Sequence, residues 1–223
     1  MKTIAIRNAI ILGITFFFIL FIAHFPTWYA WINTPTGYVY TGDNAWFDPW
    51  DINVYVTAIR WGQEGHFLLK NLYTTQDLPS ALMYPLYTGV GFMIQQTDPY
   101  LLFTLIAGVV GLLICISIYR LSRYFFPNSF LKRIALLLLT SLGGGLSWII
   151  NWDPSPDGWV TSFTYHSLFQ RGHEGLGVLS YLVFLVLLFV SLTKGASIKR
   201  MALLTVSYMV ALLSYPYMYV HAA

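Results

Sequence analysis

Charged residues are scarce in this sequence. Asp, Glu, Lys and Arg make up 9% of its 223 residues, whereas an ordinary soluble domain carries about 25%. Because so few charges cannot cover a surface that faces water, the composition argues against a soluble globular domain and points to lipid as the main solvent. Cys115 is the single cysteine, which excludes an internal disulfide and makes a metal–thiolate site unexpected.

The sequence also lacks the short motifs of soluble enzymes. It contains no P-loop, dinucleotide-binding fingerprint, zinc-ligand spacing or nucleophile elbow. No motif therefore assigns a metal ligand or an organic cofactor, and we expect no nucleic-acid partner.

What the sequence does contain is a series of long apolar runs. A helix needs about 20 mainly apolar residues to cross the hydrocarbon core of a bilayer. We therefore predict an all-α fold, a polytopic transmembrane helix bundle in one domain, embedded in the lipid bilayer. The fifth run reaches the end of the chain, so we expect the sequence to be the N-terminal part of a longer protein. The predicted spans are at about residues 8–25, 100–119, 134–150, 177–192 and 201–220.

Positive charge predicts the orientation of these spans, because Lys and Arg are enriched in cytoplasmic loops. Placing the basic clusters together in the cytoplasm requires one net crossing between Phe25 and Arg120. The shorter apolar run at 81–94 is then predicted to lie at the outer interface rather than to span. All nine acidic residues and all eight tryptophans then fall on the outer side, in loops 26–98 and 151–176 or near them. The cytoplasmic clusters hold Lys2, Arg7, Arg120, Arg123, Lys132, Arg133, Lys194, Lys199 and Arg200.

The first apolar run has two interpretations. Its basic start and apolar middle fit either a cleaved signal peptide or an uncleaved signal anchor. The stretch from Ala23 to Pro26 is a poor small-residue cleavage site, so we favour the anchor. The expected location is the bacterial inner membrane, with a cytoplasmic N-terminus.

The first outer loop is predicted to hold two interfacial helices, at about 51–65 and 81–94. Asp51 stands where the first helix would have its N-cap. In that helix a narrow polar stripe recurs at helical spacing, which is typical of a helix lying in the membrane surface with its apolar side down. The stripe, which we expect to face outward or toward a cavity, is Asn53, Thr57, Arg60 and Glu64.

Asp43, Asp48 and Asp51 are the candidate catalytic residues. A carboxylate at this place can act as a general base, and two of them can hold a divalent cation, the one cofactor we leave open. The alternative is a structural role as helix cap and turn residues, which Asp also favours.

The candidate substrate-binding residues include the cations predicted on the outer side, Arg60, Lys70 and Arg171, which suit a phosphate group. The alternative for them is a contact with a lipid headgroup or a pair such as Arg60–Glu64. His173 could carry a proton or contact phosphate, or it could be a tolerated interfacial histidine.

Two elements of the first outer loop carry a resemblance to a known family. They are Asp51-Ile52-Asn53-Val54-Tyr55, followed by Ala58 and Gly62, and then Tyr84-Pro85-Leu86-Tyr87. Their order resembles the GT-C superfamily of polytopic membrane glycosyltransferases, such as protein O-mannosyltransferases and aminoarabinose transferases. The resemblance implies transfer of a sugar from a polyprenyl-phosphate donor to an acceptor at the outer face. It makes Asp51 the candidate base, with Asp48 or Asp43 as its partner, and adds Tyr55 to the substrate-binding residues.

Two other functions remain open at this point. One is a transporter or flippase for a lipid-linked envelope component, although the predicted spans have no charge at mid-membrane, where transporters often carry one. The other is a non-catalytic envelope scaffold, for which Ile52 is the best argument because it stands where the family usually has a second acid.

The predicted orientation can be tested by cysteine labelling. In a Cys115→Ser background, we expect Asn128→Cys to resist a membrane-impermeant maleimide added to intact cells, and Asp77→Cys to react with it. Labelling of Asn128→Cys from outside would show that the orientation is inverted.

Overall fold

The computed structural model describes residues 2–41, 49–70, 74–143, 168 and 171–215. This part of the chain forms helices and no strand; Leu69 and Ala81 make one isolated antiparallel bridge. The prediction of an all-α fold is confirmed. The helices are α1 (Lys2–Ile32), α2 (Pro49–Gln63), α3 (Pro85–Met93), α4 (Pro99–Phe125), α5 (Phe130–Leu142), α6 (Gly172–Lys194) and α7 (Ile198–Ser214).

In the part of the chain that the structure describes, three helices are long and apolar enough to cross a membrane: Thr3–Ile32 of α1, together with α4 and α6. Helix α5 has 13 residues and α7 has 17. Residues 144–150 and 216–220 of the predicted spans lie outside the described part of the chain. Spans at 134–150 and 201–220 therefore stay predictions. An integral membrane protein is compatible with the three long helices.

Helix α1 is longer than its apolar run predicts. It continues through Pro26 and ends at Ile32, whereas the predicted span ends at residue 25. Proline removes one backbone hydrogen bond, but long apolar helices tolerate this when neighbouring groups compensate. The extension carries Trp28 and Trp31, both about half exposed.

The two helices of the first outer loop begin at prolines, which shifts their predicted starts. Helix α2 begins at Pro49, so Asp51 lies in the first turn rather than at the N-cap; proline suits that turn because its missing N–H would have no partner there. Helix α3 begins at Pro85 and not at residue 81, since a residue before proline avoids the helical conformation. Tyr84 instead adopts the left-handed region, at φ 52° and ψ 51°. With nine residues, α3 spans about 13 Å, which is too short to cross a bilayer.

The chain divides into two compact units. One unit is Pro26–Ile106, and the second consists of Met1–Phe25 together with Ala107–Ala223. In the first unit α2 packs directly on α3. A Cβ atom added to Gly62 would collide with the Thr88 carbonyl oxygen, and one added to Gly91 would collide with that of Ile59. The two glycines therefore let the helix backbones touch, as small residues do between membrane helices.

An aromatic cluster extends this contact toward the start of α2. The Tyr55 ring lies 5.1 Å from that of Tyr84, edge to face, and 5.1 Å from that of Tyr87, stacked. Phe103 of α4 stacks on Tyr87 at 5.8 Å and on Tyr55 at 6.2 Å. Such ring pairs add about 0.5–1.5 kcal/mol each beyond the area they bury, so the cluster fixes α2, α3 and the start of α4 to one another.

In the other unit, aromatic rings and one glycine join the long helices. Phe16 of α1 meets Tyr119 of α4 edge to face at 6.4 Å, and the Arg133 guanidinium of α5 lies 5.8 Å from the same tyrosine ring. Helix α6 packs on α7, where Gly177 leaves room for Tyr215.

The glycine contact generates a prediction with its control on the same helix. Gly91→Ala forces the α2 and α3 backbones apart and should lower the free energy of unfolding by about 1–3 kcal/mol. Gly89→Ala should be neutral or stabilise by up to about 1 kcal/mol, because its Cβ would meet only the Phe67 ring at 3.8 Å. Unfolding in mixed micelles by denaturing detergent measures both, and equal stability of the two variants would contradict the tight contact.

Candidate functional site

Asp51 lies in the first turn of α2 and is half-buried. Residues four apart on a helix are neighbours, so Asp51 stands one turn before Tyr55, on the side of α2 that carries the aromatic cluster. The N-terminal end of a helix favours negative charge, which suits a carboxylate at this place. Asp43 and Asp48 lie outside the described residues, so their part in the site stays a prediction.

The polar stripe of α2 has the exposure that its spacing predicts. Asn53, Thr57, Arg60 and Glu64 are exposed, whereas Ile52, Tyr55, Val56, Ala58 and Ile59 are buried. The stripe lines a groove of about 420 Å³ together with Val56, Trp61, Pro99 and Tyr100.

The groove depends on a contact that sequence analysis missed. The Tyr100 hydroxyl donates a hydrogen bond to Asn53 Oδ1 at 3.0 Å, across 47 residues of sequence. Near the other end of the stripe, the Gln63 amide donates to the carbonyl oxygens of Ile94 and Thr97, at 3.2 and 2.7 Å. Nothing in the local pattern signals these contacts, because Ile94, Thr97 and Tyr100 all follow α3 in the chain.

Arg60 is paired with Glu64, the residue that directly follows α2. Its Nε atom lies 3.7 Å from Glu64 Oε1, and both side chains are more than half exposed. The predicted Arg60–Glu64 pair is thus present. An exposed pair of this kind contributes only about 0–1 kcal/mol, so an incoming phosphate could displace the carboxylate at small cost.

Asp51 and Arg60 cannot serve one reacting centre. Nine positions along a helix correspond to half a turn of rotation and about 13 Å of rise, so the two side chains leave opposite sides of α2. A general base and the group that holds the departing phosphate must both reach the same sugar carbon. If Asp51 is the base, the phosphate needs a cation other than Arg60.

Lys70 and Tyr55 also have protein partners. The Lys70 ammonium lies 3.2 Å from Asp77 Oδ1, with both side chains at the surface. Tyr55 is 5% exposed and its ring is part of the aromatic cluster. The structure therefore gives Tyr55 a packing role, and its contact with substrate stays a prediction.

Arg171 and His173 belong to the other unit, at the start of α6. Arg171 Nη1 lies 3.1 Å from Glu174 Oε1, and the side chains are 16% and 3% exposed. Sequence analysis missed Glu174 as a partner, although its spacing of three from Arg171 is a recognised pairing distance on a helix. The His173 ring stands edge to face with Tyr215 at 6.4 Å, where α6 meets α7.

Metal binding has no support among the residues described. His, Cys, Asp and Glu form no cluster of three or more there that could hold a metal ion. The divalent cation suggested by sequence would involve Asp43 or Asp48, which are not among these residues.

No protein-family model, curated protein or solved structure matches the chain. Its function must therefore be argued from the geometry above and from the residues themselves.

The two carboxylate–guanidinium pairs differ in burial, which generates a prediction. Glu174→Gln removes the charge of a buried carboxylate that lies 3.1 Å from the Arg171 guanidinium and should cost about 3–5 kcal/mol of unfolding free energy. Glu64→Gln, the matched exposed pair, should cost less than about 1 kcal/mol. Detergent-induced unfolding measures both variants. Equal losses would mean that Arg171 and Glu174 are not buried as a pair.

Proposed function

We propose that this chain is part of a membrane glycosyltransferase of the GT-C type. It transfers a sugar from a polyprenyl-phosphate donor to an acceptor at the outer face of the membrane, in a bacterial inner membrane with the N-terminus in the cytoplasm. The acidic first turn of α2 forms the catalytic end of the site.

One observation supports this proposal above the others. The two sequence elements that resemble the superfamily are far apart in the chain, yet they pack together through Tyr55, Tyr84 and Tyr87. Ala58 and Gly62, the small residues of the first element, lie buried on α2, and Gly62 faces α3. A chance match of short motifs has no reason to produce one packed unit with a carboxylate one turn from its centre.

The proposed reaction uses Asp51 as the base. Its carboxylate takes the proton of an acceptor hydroxyl as the acceptor oxygen forms a bond to the anomeric carbon. The bond between that carbon and the phosphate oxygen breaks, and polyprenyl phosphate leaves with the electron pair. A cation that contacts the leaving phosphate stabilises its charge, and by the geometry of α2 this cation is not Arg60. Lys70, which belongs to the same unit as Asp51, stays a candidate. Contacts of Arg171 and His173 with the substrate stay predictions from the sequence.

A transporter fits the described residues less well. Transport proteins commonly place ionisable groups in the middle of spans, whereas the buried pair Arg171–Glu174 lies at the first turn of α6. A non-catalytic scaffold would leave the exposed stripe and its groove without a use.

The proposal is tested on the full-length protein in membranes, with a polyprenyl-phosphate sugar as donor. Asp51→Asn should lower the transfer rate by about 10²–10⁴-fold, the usual contribution of a general base. Asp48→Asn tests the possible partner acid in the same assay. Asp77→Asn is the control, because it removes an equal charge from an exposed position of the same loop.

Transfer that is unchanged in both Asp51→Asn and Asp48→Asn would remove the proposed base. Equal loss in Asp51→Asn and in Asp77→Asn would point to a general effect of charge rather than to catalysis.

A further inference from the structure

A second concave surface lies in the unit Pro26–Ile106, apart from the stripe of α2. It is a pocket of about 600 Å³ between the end of α1, the turn that follows it and the start of α4. Pockets of about 300–1,000 Å³ are typical of small-molecule sites. Tyr100 lines both this pocket and the α2 groove.

Five of the described residues that line the pocket are aromatic: Trp28, Trp31, Tyr38, Tyr40 and Tyr100. Trp28 and Trp31 stand three apart on α1, with ring centroids 6.3 Å from each other, and each is 53% exposed. Tyr38 is 76% exposed on the facing turn. Tryptophans at a membrane surface often serve only as anchors, but an anchor needs no concave wall and no polar groups beside the rings.

The wall of the pocket offers both donors and acceptors. The indole N–H groups of Trp28 and Trp31 and the Tyr38 hydroxyl can donate, whereas other oxygens of the wall can only accept. The Thr34 hydroxyl donates its hydrogen to the Ala30 carbonyl at 2.9 Å, and the Thr104 hydroxyl donates to the Tyr100 carbonyl at 3.1 Å. Their oxygens can therefore only accept from a ligand. Asp98 accepts the Leu101 N–H through Oδ1 at 2.9 Å, and its second oxygen has no protein partner among the described residues.

The charge of the wall excludes an anion. Among the described residues, the lining contains Asp98 and no Lys, Arg or His, so a phosphate would meet a like charge and no counter-ion there. A lipid chain would bury the Thr34, Thr104 and Asp98 oxygens without donors, which is costly. A small ammonium group would fill only part of the volume.

We infer that this pocket binds an uncharged pyranose ring. The C–H face of the sugar lies on Trp28 and Trp31, because its slightly positive hydrogens match the negative face of an aromatic ring. The sugar hydroxyls donate to Asp98, Thr34 and Thr104. Binding of a sugar in this pocket does not require that the chain also transfers sugar.

The test uses the full chain in lipid nanodiscs and saturation-transfer NMR, with disaccharides of glucose, mannose and N-acetylglucosamine as probes. At least one should bind the wild type, and the double variant Trp28→Ala/Trp31→Ala should weaken its affinity by about tenfold or more. Tyr29→Ala is the control, since Tyr29 is an equally exposed aromatic residue on the same turn of α1 that does not line the pocket.

A conservative pair of variants keeps the test independent of folding. Trp28→Phe/Trp31→Phe preserves aromatic faces and should retain most of the affinity. Asp98→Asn still caps α4 and removes only the charge, so saccharide affinity should fall by about fivefold at most.

Three results would overturn the inference. The first is that no disaccharide of the panel binds, and the second is that binding persists in the Trp28→Ala/Trp31→Ala variant. The third is that tetramethylammonium or dodecanol binds in a Trp28-dependent manner while the saccharides do not, which would make the pocket an ammonium or lipid site.

Discussion

The direct contact between the backbones of α2 and α3 is the constraint on which the site depends. Gly62 and Gly91 are the two positions where a side chain would strike the other helix. Because the helices touch there, Tyr55 can stack on Tyr87, and the cluster reaches Phe103 at the start of α4. The acidic turn at Asp51 and the stripe that ends at Glu64 thereby become two sides of one rigid helix rather than parts of a loose loop.

A second feature is the state of the three cations predicted on the outer side. Each has a carboxylate partner: Arg60 with Glu64, Lys70 with Asp77 and Arg171 with Glu174. The first two pairs are exposed and weak, whereas the third is buried. A phosphate that binds at Lys70 displaces a carboxylate that water can solvate. At Arg171 a phosphate would have to displace a carboxylate that the protein has already buried. The exposed pair therefore gives a phosphate easier access to its cation than the buried pair does.

The contact between α2 and α3 gives a physical explanation for the family resemblance. Most of its residues are accounted for by helix contact: Tyr55 and Tyr87 stack, Gly62 permits close approach and Pro85 starts α3. Asp51 is the one residue of the pattern to which we assign a chemical role rather than a packing role. Of this pattern, the Asp51 carboxylate alone carries the proposed chemistry.

Composition and periodicity by themselves determined the all-α fold, the exposed stripe of α2 and three of the five predicted spans, which the structure describes as helices of membrane length. They could do so because apolar length and helical spacing are local properties of a chain. They predicted the element boundaries less well. Helices α2 and α3 begin at prolines rather than at the predicted residues, and α1 continues through Pro26. Only the tertiary structure decided that Asn53 meets Tyr100, that Arg171 is buried with Glu174, and that Trp28 and Trp31 line a pocket. The Tyr100 contact and the pocket join residues that are distant in sequence, and the burial of an ion pair depends on what packs around it. Helical spacing therefore does not predict these features.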